Sequence, residues 1–268
     1  MSSTLSGAPS RLGGEPISRP SLRLLGAEPL RAALEYASYQ TKVRRQAAIS
    51  PVGDSHPVII FPGLATNGSA VAPLRKFCAS LGYAALDWGR GYNTGPRGNL
   101  TQWLDQLADH TAALLAPHQA SASLIGWSLG GLYAREVAKR LSSQTRQVIT
   151  IGTPFNATAD HTRVGWLYRL LSGAAVDIAP AFSCQLRTPP PVPTTSIYSR
   201  SDGIVAWETC LHASPAHHVE DIEVNGSHIG LGTLRCWKLS PIAWPKIPVN
   251  GSHLLLLADV FQAAHSRG

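Results

Sequence analysis

Gly126-Trp127-Ser128-Leu129-Gly130 follows the apolar run Ser123-Leu124-Ile125 and leads into a helix-like stretch, Leu132 to Arg140. A strand-to-helix turn this sharp crowds its own Cα atoms, so the residues two before and two after the serine have to be small. The same turn lifts the hydroxyl clear of a sheet, where a base can reach it. A serine hydroxyl alone is a poor nucleophile. It needs a base to take its proton, a carboxylate to orient that base, and N–H donors for the oxyanion that develops. Behind a nucleophile on such a turn, the acid and then the base follow in chain order, at the C-terminal ends of later strands.

Two residues meet that requirement. Asp202 lies in Ser199-Arg200-Ser201-Asp202-Gly203, directly after the strand-like run Thr195 to Ser199. An aspartate before glycine also makes an ordinary turn, but its place behind a strand favours the acid role. Asp160 and Asp177 have no strand before them. His228 lies in Asn225-Gly226-Ser227-His228-Ile229-Gly230, just after the run Asp221 to Val224, and is the expected base. His110 and His118 precede the serine, and His212, His217 and His218 fall in a polar loop before the last strand, where histidines are commonly solvated. The residue after the nucleophile supplies one oxyanion N–H, here Leu129. The second is expected from Phe61-Pro62-Gly63-Leu64-Ala65, at Leu64, with Gly63 turning the backbone inward.

The elements that hold these residues alternate. Val58 to Phe61, Tyr83 to Trp88, Ala122 to Gly126, Gln147 to Ile151, Thr195 to Ser199 and Asp221 to Val224 read as strands. Val71 to Leu81, Leu100 to Leu115 and Leu129 to Leu141 read as helices, the second with Trp103, Leu107 and Leu114 on one face. Apolar strands alternating with helices predict an α/β chain built on a mostly parallel, doubly wound sheet. Ahead of it, Leu22 to Gln46 has Leu30, Ala33, Leu34 and Ala37 at helical spacing, which predicts a helix packed on the domain by that face. The alternation stops between Asn156 and Pro193. Val164, Trp166, Leu167 and Leu170 there form an apolar helix face, expected as a substrate-binding cap over about 157–193.

At 268 residues, 44% hydrophobic and 15% charged, the chain can bury a full core. Residues 1–50 read as a flexible leader and helix, 51–232 as the core. A formal charge of +7 could attract nucleic acid, but no block of Lys/Arg or aromatic-interleaved basic stripe is present, so no nucleic-acid partner is expected. No run is long enough to span a bilayer. The first residues lack the apolar core of a secretory signal, which predicts a cytoplasmic protein. Four cysteines, Cys78, Cys184, Cys210 and Cys236, have no metal-site spacing, so neither metal nor cofactor is expected.

The stretch from about His56 to Gly232 resembles the α/β-hydrolase fold lipases and esterases, in particular the bacterial lipase class. The carriers are the oxyanion loop Phe61-Pro62-Gly63-Leu64, the elbow Gly126 to Gly130, the post-elbow Ile151-Gly152-Thr153-Pro154-Phe155 and the acid loop Ser199 to Val205. Pro62 departs from the histidine of many relatives, at a position where the backbone does the work. The resemblance implies a serine ester hydrolase with an acyl-enzyme intermediate, acting on a small or lipid-like ester. Some relatives tie the cap to the acid loop with a disulfide, a role that Cys184 and Cys210 would suit; the missing signal segment favours two reduced thiols. An acyltransferase with the same trio, and a non-catalytic binding protein, are the rival readings. Such binding proteins usually lose a member of the trio, and all three candidates are present here.

The tail, 233–268, breaks the pattern. A closing amphipathic helix should follow the histidine, yet Leu234 to Pro241 has neither period, and prolines recur at Pro241, Pro245 and Pro248. Permitted codons for 237–246, regrouped one base earlier, spell Leu-Glu-Ala-Ile-Ala-Asp-Arg-Leu-Ala-Gln, an amphipathic helix. The expectation is a frame-shifted segment, which also carries three of the seven net positive charges; the plain alternative is a divergent tail.

Overall fold

The computed structural model describes residues 20–46, 53–156, 180–213 and 216–232. The leader before Pro20, the cap face Val164, Trp166, Leu167 and Leu170, and the tail after Gly232 lie outside the described residues. Six strands form one sheet: β1 (Pro57–Phe61), β2 (Ala84–Asp87), β3 (Ala122–Trp127), β4 (Thr145–Ile151), β5 (Thr194–Tyr198) and β6 (Val219–Glu223). Their order is β2-β1-β3-β4-β5-β6, and each neighbouring pair runs parallel. The helices are α1 (Leu22–Gln46), α2 (Ala72–Ser80), α3 (Leu100–Leu115), α4 (Leu129–Arg140) and α5 (Pro180–Arg187). This is the doubly wound α/β architecture expected from the alternation.

Both faces of the sheet are covered, which is why its central strands are apolar throughout rather than alternating. In β1, Ile59 and Phe61 point one way, into a core with Leu124, Leu104 and Leu107 of α3, and Leu132 and Val137 of α4. Val58 and Ile60 point the other way, toward Ile125, Ile149, Ile197 and the α2 residues Leu74 and Cys78. The α3 stripe is rotated slightly from its expected position. Leu104, Leu107, Ala108, Thr111 and Leu115 are buried, whereas Trp103 and Leu114 pack at its margin.

Two expectations are corrected. First, α1 forms but turns the other way. Leu30 and Leu34 are more than 60% exposed, while Glu28 and Glu35 are buried. Its inward face is held by carboxylates rather than leucines. Within the region 157–193, Pro180–Arg187 form α5, whose Leu186 is buried against the core. Cys184 and Cys210 are free thiols, one exposed and the other buried, which is the reduced alternative to the disulfide. Second, His212 is buried rather than solvated. Its ring hydrogen-bonds Asp221 at 2.6 Å and lies 3.1 Å from Arg135, whose guanidinium packs over Phe155.

Candidate active site

β3 ends at Trp127 and α4 begins at Leu129, which leaves one residue to reverse the chain. Ser128 does so with φ 54° and ψ −121°, a region that L side chains rarely occupy. The flanking glycines are required by backbone proximity. A Cβ on Gly126 would sit 2.2 Å from the Gly130 carbonyl oxygen, and one on Gly130 would sit 2.3 Å from that of Phe61. The turn is tied down by the Ser128 N–H donating to Ile151 and by Thr153 Oγ1 donating to the Ser128 carbonyl, at 2.8 and 3.0 Å.

The acid loop leaves β5 at the same end of the sheet. Asp202 is buried, and its two oxygens have separate tasks. Oδ1 accepts from the Ile204 and Val205 N–H groups at 2.8 and 2.7 Å, whereas Oδ2 is 2.7 Å from His228 Nδ1. His228 opens a short helical turn after β6, capped by Ser227 Oγ accepting from the Gly230 N–H at 3.0 Å. Gly152, in the left-handed region at φ 55°, passes beside the pair; a Cβ there would be 3.1 Å from His228 Nδ1. Burial alone would lower the His228 pKa. The charge and hydrogen bond of Asp202, with the charge of Glu28, outweigh burial and raise it above its ordinary value.

The direct contact within the sequence-derived trio is the His228–Asp202 bond. Ser128 follows β3, and the indole N–H of Trp127, the preceding residue, donates to the His228 carbonyl at 3.1 Å. Leu129 opens α4, and Leu64 lies on the loop after β1, the two expected sources of oxyanion N–H groups. Among the described residues, neither N–H donates to a backbone acceptor. That loop turns differently from expectation: the positive φ, 56°, belongs to Ala65. Gly63 instead makes room for Trp127, whose ring would be 2.9 Å from a Cβ there.

Parallel strands in the order β2-β1-β3-β4-β5-β6, with the turn at Ser128 after β3, Asp202 after β5 and His228 after β6, define the architecture. The fold resembles that of the α/β-hydrolases. Residues 90–164 match the family model described as Thioesterase domain. Two similar curated proteins are pimeloyl-[acyl-carrier protein] methyl ester esterases. That of Shewanella woodyi is 30% identical over 127 residues, 46% of this chain and 47% of the relative. That of Shewanella sp. strain MR-7 is 30% identical over 111 residues, 41% and 39% of the two chains. The chain therefore spans less than half the length of the curated relatives it matches. Similar solved structures include Aspergillus fumigatus lipase B, 17% identical with TM-score 0.48, covering 70% of this chain and 53% of that one. Another is a lipase-esterase related protein from Clostridium acetobutylicum, 17% identical with TM-score 0.47, covering 72% and 92%.

Three supports of this site escaped sequence reasoning. Asn93, buried in the Gly-rich loop after β2, donates from Nδ2 to the Pro62 carbonyl at 2.9 Å and accepts from the Ala65 N–H through its own carbonyl at 2.9 Å. It thereby fixes the Leu64 loop from both sides, and no local pattern marks it. Glu28 and Glu35 of α1 bind the backbone around Asp202 and His228. Their signal was available: two carboxylates seven residues apart share one helix face, opposite the leucines.

Serine, histidine and aspartate side chains also meet at the far end of the sheet. His56 Nδ1 bonds Asp54, and His56 Nε2 is 2.8 Å from Ser123 Oγ. Ser123 is fully buried between strands, and Gln147 Nε2 donates to its oxygen at 3.1 Å. This chain of bonds ties the strand starts together and offers no hydroxyl to a substrate.

Among the described residues, no helix is long and apolar enough to cross a membrane. No group of three or more His, Cys, Asp or Glu side chains among them could hold a metal ion.

Proposed function

We propose that this chain is a carboxylic ester hydrolase in which Ser128, His228 and Asp202 carry the reaction. The observation that carries the reading is the buried Asp202–His228 hydrogen bond, on loops at the sheet end where Ser128 makes its positive-φ turn. Ser128 Oγ attacks the ester carbonyl carbon while His228 Nε2 takes its proton. The tetrahedral oxyanion is received by the N–H groups of Leu64 and Leu129. Collapse expels the alcohol, which leaves with the proton from His228, and an acyl-serine remains. Water then loses a proton to His228, attacks the acyl carbon and releases the acid, restoring Ser128. Asp202, held by two backbone N–H groups on Oδ1, keeps His228 in the tautomer with its proton on Nδ1 and stabilises the imidazolium.

The partial match to methyl ester esterases supports an oxygen ester as substrate. The match to the Thioesterase domain favours a thioester as the second reading, with the same steps and a thiol leaving group. The proposed acyl contacts are Val164, Trp166, Leu167 and Leu170.

Fluorophosphonate labelling, with turnover of a p-nitrophenyl ester and an acyl thioester, tests the assignment. Wild type should label and turn over; Ser128→Ala should do neither while keeping its fold. Full activity in Ser128→Ala would sink the mechanism. Product analysis with added alcohol separates hydrolysis from acyl transfer.

A further inference from the structure

The acid loop and the histidine loop hydrogen-bond to each other through His228 and Asp202, through Ser201 Oγ donating to the Gly226 carbonyl at 3.2 Å and through the Gly226 N–H donating to Ser199 Oγ at 3.2 Å, and a third element grips both. Glu28 of α1 is buried, and its Oε1 accepts from the Gly203 N–H at 2.8 Å and from the His228 N–H at 3.0 Å. Its Oε2 accepts from the Ile229 N–H at 3.3 Å. Two turns on, Glu35 accepts from the Ser227 N–H at 3.1 Å and from Ser227 Oγ at 2.7 Å. Between them, Arg31 donates to the Ser201 carbonyl and hydroxyl at 2.6 and 3.0 Å. The residue after Asp202 and the second after His228 are glycines, and α1 uses the space. A Cβ on Gly203 would lie 2.6 Å from the Leu24 carbonyl oxygen, and one on Gly230 would collide with the Glu35 carboxylate.

We propose that Glu28 is a positioning residue of the reaction, a carboxylate strap from α1 that sets the separation of Asp202 and His228 and places a second negative charge behind the imidazole. This rests on the reading of Ser128, Asp202 and His228 given above. The reason is mechanical. One carboxylate bonded to the N–H of residue 203 and to the N–H of residue 228 couples the two loops independently of the bond between their side chains. A misplacement of the base by about 1 Å can cost about a hundredfold in rate. The charged groups facing His228 are Asp202 from the loop after β5 and Glu28 from α1, with Arg31 3.7 Å from Glu28 and Glu35 held at Ser227. The negative charge of Glu28 favours the imidazolium.

The test compares wild type, Glu28→Gln, Glu28→Asp and Ser128→Ala in the full chain, with rates normalised to active sites titrated by a fluorophosphonate. Glu28→Gln should lower kcat about 10- to 100-fold with KM little changed, as for an interaction made chiefly in the transition state. Its kcat/KM profile should also lose its acid limb at lower pH than wild type, because a charge that raises the His228 pKa is gone. Glu28→Asp keeps the charge but retreats by one methylene. It should lose kcat while its acid limb stays nearer wild type, and it carries the test alone should the Gln variant fail to fold. A variant that merely melts earlier, with wild-type kcat per titrated site and an unmoved limb, overturns the proposal. Absence of labelling in wild type, or equal labelling in Ser128→Ala, overturns the serine-hydrolase reading itself, and the strap with it.

Discussion

Ser128 holds a backbone conformation that costs an L residue about 1–3 kcal/mol. The cost is tolerated because the glycines at 126 and 130 leave room for the turn, and because Ile151 and Thr153 bond the strained peptide. Replacing Ser128 by glycine relieves the strain but adds chain entropy in the unfolded state, worth roughly 0.5–1 kcal/mol. The balance predicts that Ser128→Gly is inactive yet melts at or above the wild-type temperature. Thermal unfolding followed by circular dichroism measures this directly, and a variant clearly less stable than wild type would show that the hydroxyl, rather than the turn, is holding the elbow.

At the scale of elements, the ends of the sheet are treated differently. The C-terminal ends of β3, β5 and β6 carry the proposed chemistry, while the N-terminal ends are stitched by Asp54, His56, Ser123, Arg146 and Gln147. Burial and the Arg146 charge hold His56 below its ordinary value of 6.5, against the pull of Asp54. A histidine whose folded pKa is depressed contributes stability above the unfolded value, and that contribution is lost as pH falls from 6.5 through the folded value. His228 has the opposite sign, since its raised pKa contributes stability below 6.5 that is lost as pH rises through the folded value. Comparing a variant separates the two. On acidification from pH 7.5 to pH 5, wild type should lose more stability, or gain less, than His56→Gln, in urea unfolding at each pH. Parallel pH profiles for the two proteins would show that His56 does not contribute.

For the whole molecule, burial is greatest in the middle of the sheet. β1, β3 and β5 are buried along their length, whereas the edge strands β2 and β6 are half-buried for most of theirs. Local opening requires few lost contacts at an edge and nearly global unfolding at the centre. Hydrogen exchange followed by mass spectrometry should therefore show β1 and β3 as the slowest strands, with β2 and β6 faster by orders of magnitude. Protection of β6 equal to that of β3 would contradict this and imply further cover over that edge.

The strands, the sharp turn at Ser128 and the placing of Asp202 and His228 behind later strands were legible in the sequence. Each depends on local physics: buried parallel strands must be apolar, and a tight turn excludes Cβ atoms whatever surrounds it. The helical period of Leu22–Gln46 was equally legible, but the face it buries was not. Periodicity finds an apolar stripe and assigns it to the core, yet α1 turns Leu30 and Leu34 outward because its opposite face meets two loops rich in backbone N–H groups that need acceptors. A carboxylate there satisfies more of the buried donors than a leucine could. That Glu28 faces His228 across 200 residues, that Asn93 fixes the Leu64 loop, and that His212 is buried against Asp221 were decided only by tertiary structure. Partners so distant in sequence leave no spacing to read, since what joins them is the path of the folded chain.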